Sequence, residues 1–356
     1  MAGEVAYGVD GHKLSYHPER VAQWLAEGDT RPIYLEVGPA ARCFQSCCYC
    51  AFDYLKSSGP ILDGAPLRSA LADAASHGLR SVMFAGEGEP LLHPEISELV
   101  GYSAQVGLKV AITTNGVLFR PPVAEACLPH LAWIRFSLDA ATKETYDRIH
   151  RGGPRDWEKV KENIRYAVQL KRERGYSCTI GTQALLIPQN QAEVPDIIRL
   201  ARDLGADYLA IKPYSQHPLS IHQWDIDYSR PFFWEQGLSS LETDSFKVIY
   251  RRHTMQKLQE PRPYLECLGL PFITYIAATG DVYVCSAFLG NQDFLYGNIL
   301  EATFSSIWKG ERRQQVLARV KAMGVEPCRE VCRLDEINRY LWALKHPEMV
   351  PHMDFV

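Results

Sequence analysis

Short apolar runs alternate with longer amphipathic stretches over the first two-thirds of the chain. The runs lie at 32–38, 81–85, 108–113, 133–138, 179–187 and 208–212, and they are rich in β-branched and aromatic residues. Between them, Pro66 to His77 and Trp157 to Arg174 place apolar residues at helical spacing. Strands separated by crossover helices predict an α/β fold on a parallel sheet with right-handed connections. Ahead of the first run, Pro18 stands at a helix first turn, and Val21, Trp24 and Leu25 follow with helical spacing.

Beyond residue 213 the pattern changes. Residues 214–262 hold aromatic and Pro-rich turns, with a strand expected over Phe246 to His253. Cys267 to Val284 reads as a β-hairpin turning at Thr279-Gly280-Asp281. A helix is expected over Thr303 to Ala322, then a helical segment ending near Lys345. The expected division is a cap over 1–31, a sheet domain over 32–213, a linking region over 214–262, a second domain over 263–345 and a tail over 346–356.

Composition narrows the classes. A formal net charge of −4 gives no electrostatic footprint for nucleic acid. No apolar run is long enough for a bilayer, and the N-terminus lacks a basic region followed by an apolar one. A cytoplasmic enzyme with no membrane partner is therefore expected. Ten cysteines in such a chain point to metal rather than disulfides.

Three of those cysteines form Cys43-x3-Cys47-x2-Cys50, with Tyr49 before the last. Soft thiolates in one short loop suit an iron–sulfur cluster, and three of them leave one iron of a cubane open. A zinc site or packed core thiols are the competing readings, and Cys48 is read as a packed thiol. The spacing resembles the radical S-adenosylmethionine (SAM) superfamily. The resemblance implies a 4Fe-4S cluster whose open iron holds SAM, an open six-stranded (β/α) barrel of TIM type, and chemistry at the C-terminal strand ends. It also implies an electron donor such as flavodoxin or ferredoxin.

Gly86-Glu87-Gly88-Glu89-Pro90 follows the second run and resembles the family's Gly-Gly-Glu-Pro motif, with Glu87 where many members have Gly. Thr113 and Asn115 end the third run, and Ser137 and Asp139 end the fourth. The resemblance implies that these residues, with Tyr49, meet SAM. Turn and cap chemistry is the alternative for each hydroxyl, amide or carboxylate.

Cys267 and Cys285 fit Cys-x12-Gly-x4-Cys, and Cys328-x3-Cys332 follows. With Tyr296-Gly297-Asn298-Ile299 and Ser306-Ile307-Trp308 between them, the segment resembles the SPASM/twitch extension in its shorter, twitch form. The resemblance implies one auxiliary 4Fe-4S cluster with four protein thiolates, a closed ligand set suited to electron transfer. Zinc is the alternative occupant.

The short twitch members that the chain resembles include carbohydrate-tailoring enzymes such as 2-deoxy-scyllo-inosamine dehydrogenase. That implies oxidation of a sugar, aminocyclitol or nucleotide-sugar substrate, with phosphate as one possible feature of it. Lys212, Tyr214 and His217 after the sixth run, Gln183 on the fifth and Arg251 are the candidate substrate and catalytic residues. The alternative is a ribosomal-peptide maturase of the SPASM kind, or an epimerase, dehydratase or bond-forming enzyme acting on a nucleoside or sugar. The brevity of 1–31 weighs against a leader-binding domain there.

Overall fold

The computed structural model describes residues 12–55 and 58–348. The first eleven residues of the expected cap and most of the expected tail lie outside that range. Six parallel strands form the expected barrel series: β1 (Tyr34–Val37), β4 (Ser81–Phe84), β5 (Lys109–Thr114), β6 (Leu131–Ser137), β7 (Thr179–Leu186) and β8 (Tyr208–Pro213). Each step between them carries at least one helix, among them Gly64–Ser76, Ile96–Gln105, Asp156–Arg174 and Val194–Asp203. Two short strands, β2 (Ala40–Arg42) and β3 (Ser58–Ile61), form an antiparallel ribbon at the base of the cysteine loop.

The sheet continues past both ends of the barrel. On one side β9 (Lys247–Tyr250) pairs parallel with β8. On the other, β10 (Ile273–Ile276) pairs parallel with β1, and β11 (Asp281–Tyr283) and β12 (Leu295–Asn298) follow antiparallel. The cysteine-bearing hairpin is thus an extension of the barrel sheet.

Alternation along β6 shows how the barrel is filled. Ile134 and Phe136 are fully buried under the helices, while Arg135 and Ser137 point to the other face and are half-buried. The outer layer is a continuous apolar core; the inner face is polar and opens at the strand C-termini. The cap helix, Pro18–Glu27, ends on Gly28 in the left-handed region (φ 73°). It is locked to the C-terminal part of the chain, because Arg313 bonds Asp29 through two contacts of 2.7 Å and stacks 3.8 Å over Trp308.

Two expected elements differ. The strand over Phe246 to His253 ends at Tyr250, and a helix runs from Arg252 to Lys257. Arg252 turns its guanidinium onto the carbonyls of Tyr228, Ser229 and Arg230, which starts the helix early. The helix over Thr303 to Ala322 is two helices, Phe304–Lys309 and Glu311–Met323, broken at Gly310, whose ψ of 152° is extended.

Candidate active site

The cysteine loop is held from below by the helix Lys143–His150. The amides of Ser46 and Cys48 donate to the carbonyls of His150 and Ile149 at 3.1 and 2.9 Å. His150 is fully buried, with Nδ1 3.5 Å from Cys47 Sγ and Nε2 3.4 Å from Asp139 Oδ2. Tyr49 donates its hydroxyl to Asp139 Oδ2 at 2.7 Å, and Leu185 N donates to Oδ1 at 2.7 Å. The Asp139 carboxylate therefore orients the loop's aromatic residue and the end of β7. Cys48 packs with Ile149, Ile187 and Tyr214, consistent with a core thiol.

Cys43, Cys47 and Cys50 lie close enough for the charges of Cys43 and Cys50 to raise the Cys47 thiol. Burial pushes Cys43 up to about 11 and Cys47 well above the ordinary thiol range. Three thiolates in this space thus require a cation among them, which is what iron supplies.

The turn after β4 is shaped by contact with β10. Gly86 has φ 121°, and a Cβ there would run into Tyr275 Oη and lie 2.7 Å from Gly38 Cα. The Glu87 carboxylate bonds Tyr275 Oη and accepts from Ala278 N at 2.9 Å, while Glu87 N donates to Tyr275 Oη at 3.2 Å. Burial raises the Glu87 carboxyl. Its side chain is committed to the hairpin. Glu89 accepts from Thr114 Oγ1, Asn115 N and Leu91 N at 2.6, 2.8 and 3.1 Å, and burial pushes it up to about 7 against those bonds. It ties the turn to the end of β5. That leaves the Gly86 and Gly88 backbone, the Ser137 hydroxyl and the Asn115 amide as groups available to a ligand. Asn115 Nδ2 is buried beside Cys43, where its one neighbouring acceptor is the thiol, a donor aimed at the cluster site. Thr113 Oγ1 makes only a 3.6 Å contact to Met83 Sδ.

The second thiol set gathers in one enclosed pocket lined by Cys267, Cys285, Cys328 and Cys332, with Tyr264 and Leu334. Asn338 Nδ2 and Leu334 N donate to Cys267 Sγ and Cys332 Sγ at 3.5 and 3.4 Å. Such bonds to sulfur tune a cluster's potential. Burial pushes the Cys285 thiol up as well. Among the described residues no three His, Cys, Asp or Glu side chains are arranged to hold a single metal ion. The fit therefore rests on the thiols sharing one pocket, as four ligands of a multi-iron group do.

Both thiol sets reach one cleft of about 300 Å³. Its walls include Cys50 from the first set and Cys285, Cys328 and Cys332 from the second. Lys212, Tyr214 and Arg251 line it, as do Arg329 and Arg333, two residues with no signal in the sequence motifs. Arg333 pairs with Glu36 of β1. Ser215 Oγ donates to Val331 O at 2.7 Å, closing the cleft floor. Gln183 lies deeper, accepting from Arg135 Nη1 at 3.5 Å. His217 stands apart: Nε2 donates to Ala287 O at 2.9 Å and Nδ1 accepts from Leu219 N at 3.0 Å. With both nitrogens engaged and burial lowering its basicity, it braces the auxiliary segment. Tyr214 supplies a wall, its hydroxyl 3.3 Å from His222 O.

Residues 37–201 match the radical SAM superfamily, and residues 267–333 match the iron–sulfur cluster-binding domain known as SPASM. The chain is 25% identical over 296 residues to AdoMet-dependent heme synthase of Methanosarcina barkeri, covering 76% of this chain and 80% of that one. It is 27% identical over 288 residues to PqqA peptide cyclase of Gluconobacter oxydans, covering 78% and 76%. The crystal structure of Streptococcus suis SuiB bound to S-adenosylmethionine shares the fold, with a TM-score of 0.66 at 16% identity over 94% of this chain and 79% of that one. No helix among the described residues is long and apolar enough to cross a membrane. With the two domains matched in order, each on its own thiol set, the chain is a radical SAM enzyme with a SPASM domain, using S-adenosylmethionine, a 4Fe-4S cluster, an auxiliary iron–sulfur cluster and a reductant.

Proposed function

We propose that this enzyme modifies a peptide. The observation that carries the reading is the extent of the cleft. Two surface grooves, of about 370 and 490 Å³, adjoin it along the segment that carries Cys328 and Val331, residues that line all three. A single sugar would fill a fraction of these three spaces together, whereas an extended chain is long enough to lie across them. The similarity to PqqA peptide cyclase, spread over most of both chains, supports a peptide. Sugar oxidation, expected from the twitch resemblance, has no such support among these relatives.

In this reading Cys43, Cys47 and Cys50 hold the cluster, and Tyr49, the Gly86 and Gly88 backbone, Thr113, Asn115 and Ser137 surround SAM. Bound there, the cluster would supply the electron for reductive cleavage of SAM, and SAM the radical for hydrogen abstraction from substrate. This chain's own residues place the substrate: Lys212 and Arg251 face it from the barrel side, and Arg329 faces it from the auxiliary side.

The test uses reconstituted enzyme, SAM, reductant and synthetic peptides copied from short reading frames beside its gene, with deuterated side chains. Deuterium in 5′-deoxyadenosine and a mass change in a peptide are the expected result. Turnover of aminocyclitols or nucleotide sugars with every such peptide inert would reject it.

A further inference from the structure

Two cations stand on the inner face of the barrel, Arg135 on β6 and Lys212 on β8. Arg135 on β6 stacks 4.9 Å from the Trp133 ring centroid and 5.7 Å from that of Tyr208. Its Nε donates to Tyr208 Oη at 3.0 Å, and Nη1 reaches Gln183 Oε1 at 3.5 Å. These partners are neutral. They fix the guanidinium without neutralising it. Lys212 on β8 stands toward the mouth, in the same half of the barrel, and lines the cleft. Neither Arg135 nor Lys212 has an ion-pair partner among the described residues.

The nearby carboxylates are already taken. Glu36 pairs with Arg333. Asp139 is held by Tyr49 and by Leu185 N, with His150 Nε2 3.4 Å away. Arg135, Arg251 and Arg333 all lie close enough to Lys212 to lower its basicity, down to about 7, with burial the larger cause. Among the described residues no carboxylate pairs with this amine, and Asp139, which acts to raise its basicity, is already bonded to Tyr49 and Leu185 N. Both cations are half-buried; an uncompensated cation withdrawn from water is costly, and a site built this way is completed by an anion from outside.

We propose that Lys212 and Arg135 form an anion pocket that binds a carboxylate of the substrate, so that the peptide presents an acidic side chain or its C-terminal carboxylate inside the barrel. The inference rests on the peptide reading for the word peptide alone; the pocket itself is a property of the barrel. Arg135 supplies a planar fork suited to both carboxylate oxygens, and Lys212 a point charge nearer the mouth. A carboxylate held there fixes which carbons of the substrate come near the cleft side of Cys50, and so limits the hydrogen atoms in reach.

The experiment is competitive acylation of the holoenzyme with acetic anhydride, read by mass spectrometry at Lys212. SAM is present throughout, so that its own carboxylate is not the occupant measured. Glutarate is the probe, glutaramide its uncharged counterpart, and exposed Lys143 the reference amine. Glutarate is expected to slow acylation of Lys212 about tenfold or more, because a neighbouring carboxylate raises an amine's pKa by at least one unit. Glutaramide should leave the rate unchanged, and Lys143 should respond to neither. Arg135→Gln should weaken protection by glutarate, with Arg135→Lys restoring part of it. Equal rates in glutarate and glutaramide, or no acylation of Lys212 in the SAM-bound enzyme without probe, would each overturn the proposal. No peptide enters this assay, so its failure leaves the peptide reading standing, and failure of the peptide reading leaves this result intact.

Discussion

Lys212 carries a pH dependence whose sign follows from its surroundings. Burial and the cations Arg135, Arg251 and Arg333 lower its amine to about 7, while Asp139 acts weakly the other way. Below that value the amine is charged, and above it neutral. Binding of an anionic substrate should therefore weaken as pH rises through about 7, seen as a rising KM. Lys212→Met should flatten that limb, and an unchanged profile would remove Lys212 from the site. A second residue-scale prediction concerns Tyr49. Tyr49→Phe removes one donor from a buried carboxylate and should cost about 1–3 kcal/mol in holoenzyme stability. Thermal denaturation checks the cost, and a changed electron paramagnetic resonance signal of the first cluster should accompany it if the ring orients the loop. Sequence reasoning found Tyr49 and Asp139 as separate motif members. Their bond was hidden, because 90 residues separate them. Arg135 was legible in principle: an arginine between Ile134 and Phe136 in a core strand alternates onto the inner face. His150 carried no local signal at all, since only folding brings its helix under the loop.

At the scale of elements, the seam between the β4 turn and β10 is the feature that motif reading misjudged. Glu87 stood out as a departure from Gly in a SAM-binding motif, and its placement was expected to be toward SAM. The structure turns it to Tyr275 and Ala278 of the hairpin. Glu87→Gly should then destabilise the enzyme by about 1–3 kcal/mol through the lost bonds, while SAM cleavage per folded molecule persists. Loss of SAM cleavage with unchanged stability would return Glu87 to the SAM site. Gly86→Ala should be the harsher change, since it adds backbone strain of about 1–3 kcal/mol to a steric conflict with Tyr275. Urea denaturation measures both. The barrel strands were legible because each is a short apolar run bounded by turns. The pairing of β10 with β1 was not, because parallel edges more than 230 residues apart leave no periodic trace. The early helix at Arg252 was missed for a similar reason, its trigger being three carbonyls of a distant loop.

For the whole molecule, both thiol sets contribute to the lining of one cleft, so metal content and cleft shape are coupled. Reconstituted enzyme should hold about eight irons if both groups are cubanes, and Cys43, Cys47 and Cys50 changed together to Ala should leave about half and abolish SAM cleavage. Removing the second cluster has a different reach. The segment 328–333 supplies two of its thiols and also the contacts that close the cleft: Ser215 to Val331, Arg333 to Glu36, and Arg329 to Ser286 O at 2.7 Å. Metal ligation and folding are linked in segments of this kind, so loss of Cys328 and Cys332 should loosen that wall. Lys212 would then lose Arg333 as a neighbour and gain water, and its pKa should rise toward the ordinary lysine range. The Cys328→Ala, Cys332→Ala enzyme is therefore expected to cleave SAM while forming little product, and its Lys212 should be acylated more slowly at neutral pH than in the parent. A variant that keeps the parent's rate of Lys212 acylation but loses product would assign the second cluster to electron transfer alone. One that changes both would show that the cluster also holds the substrate wall in place.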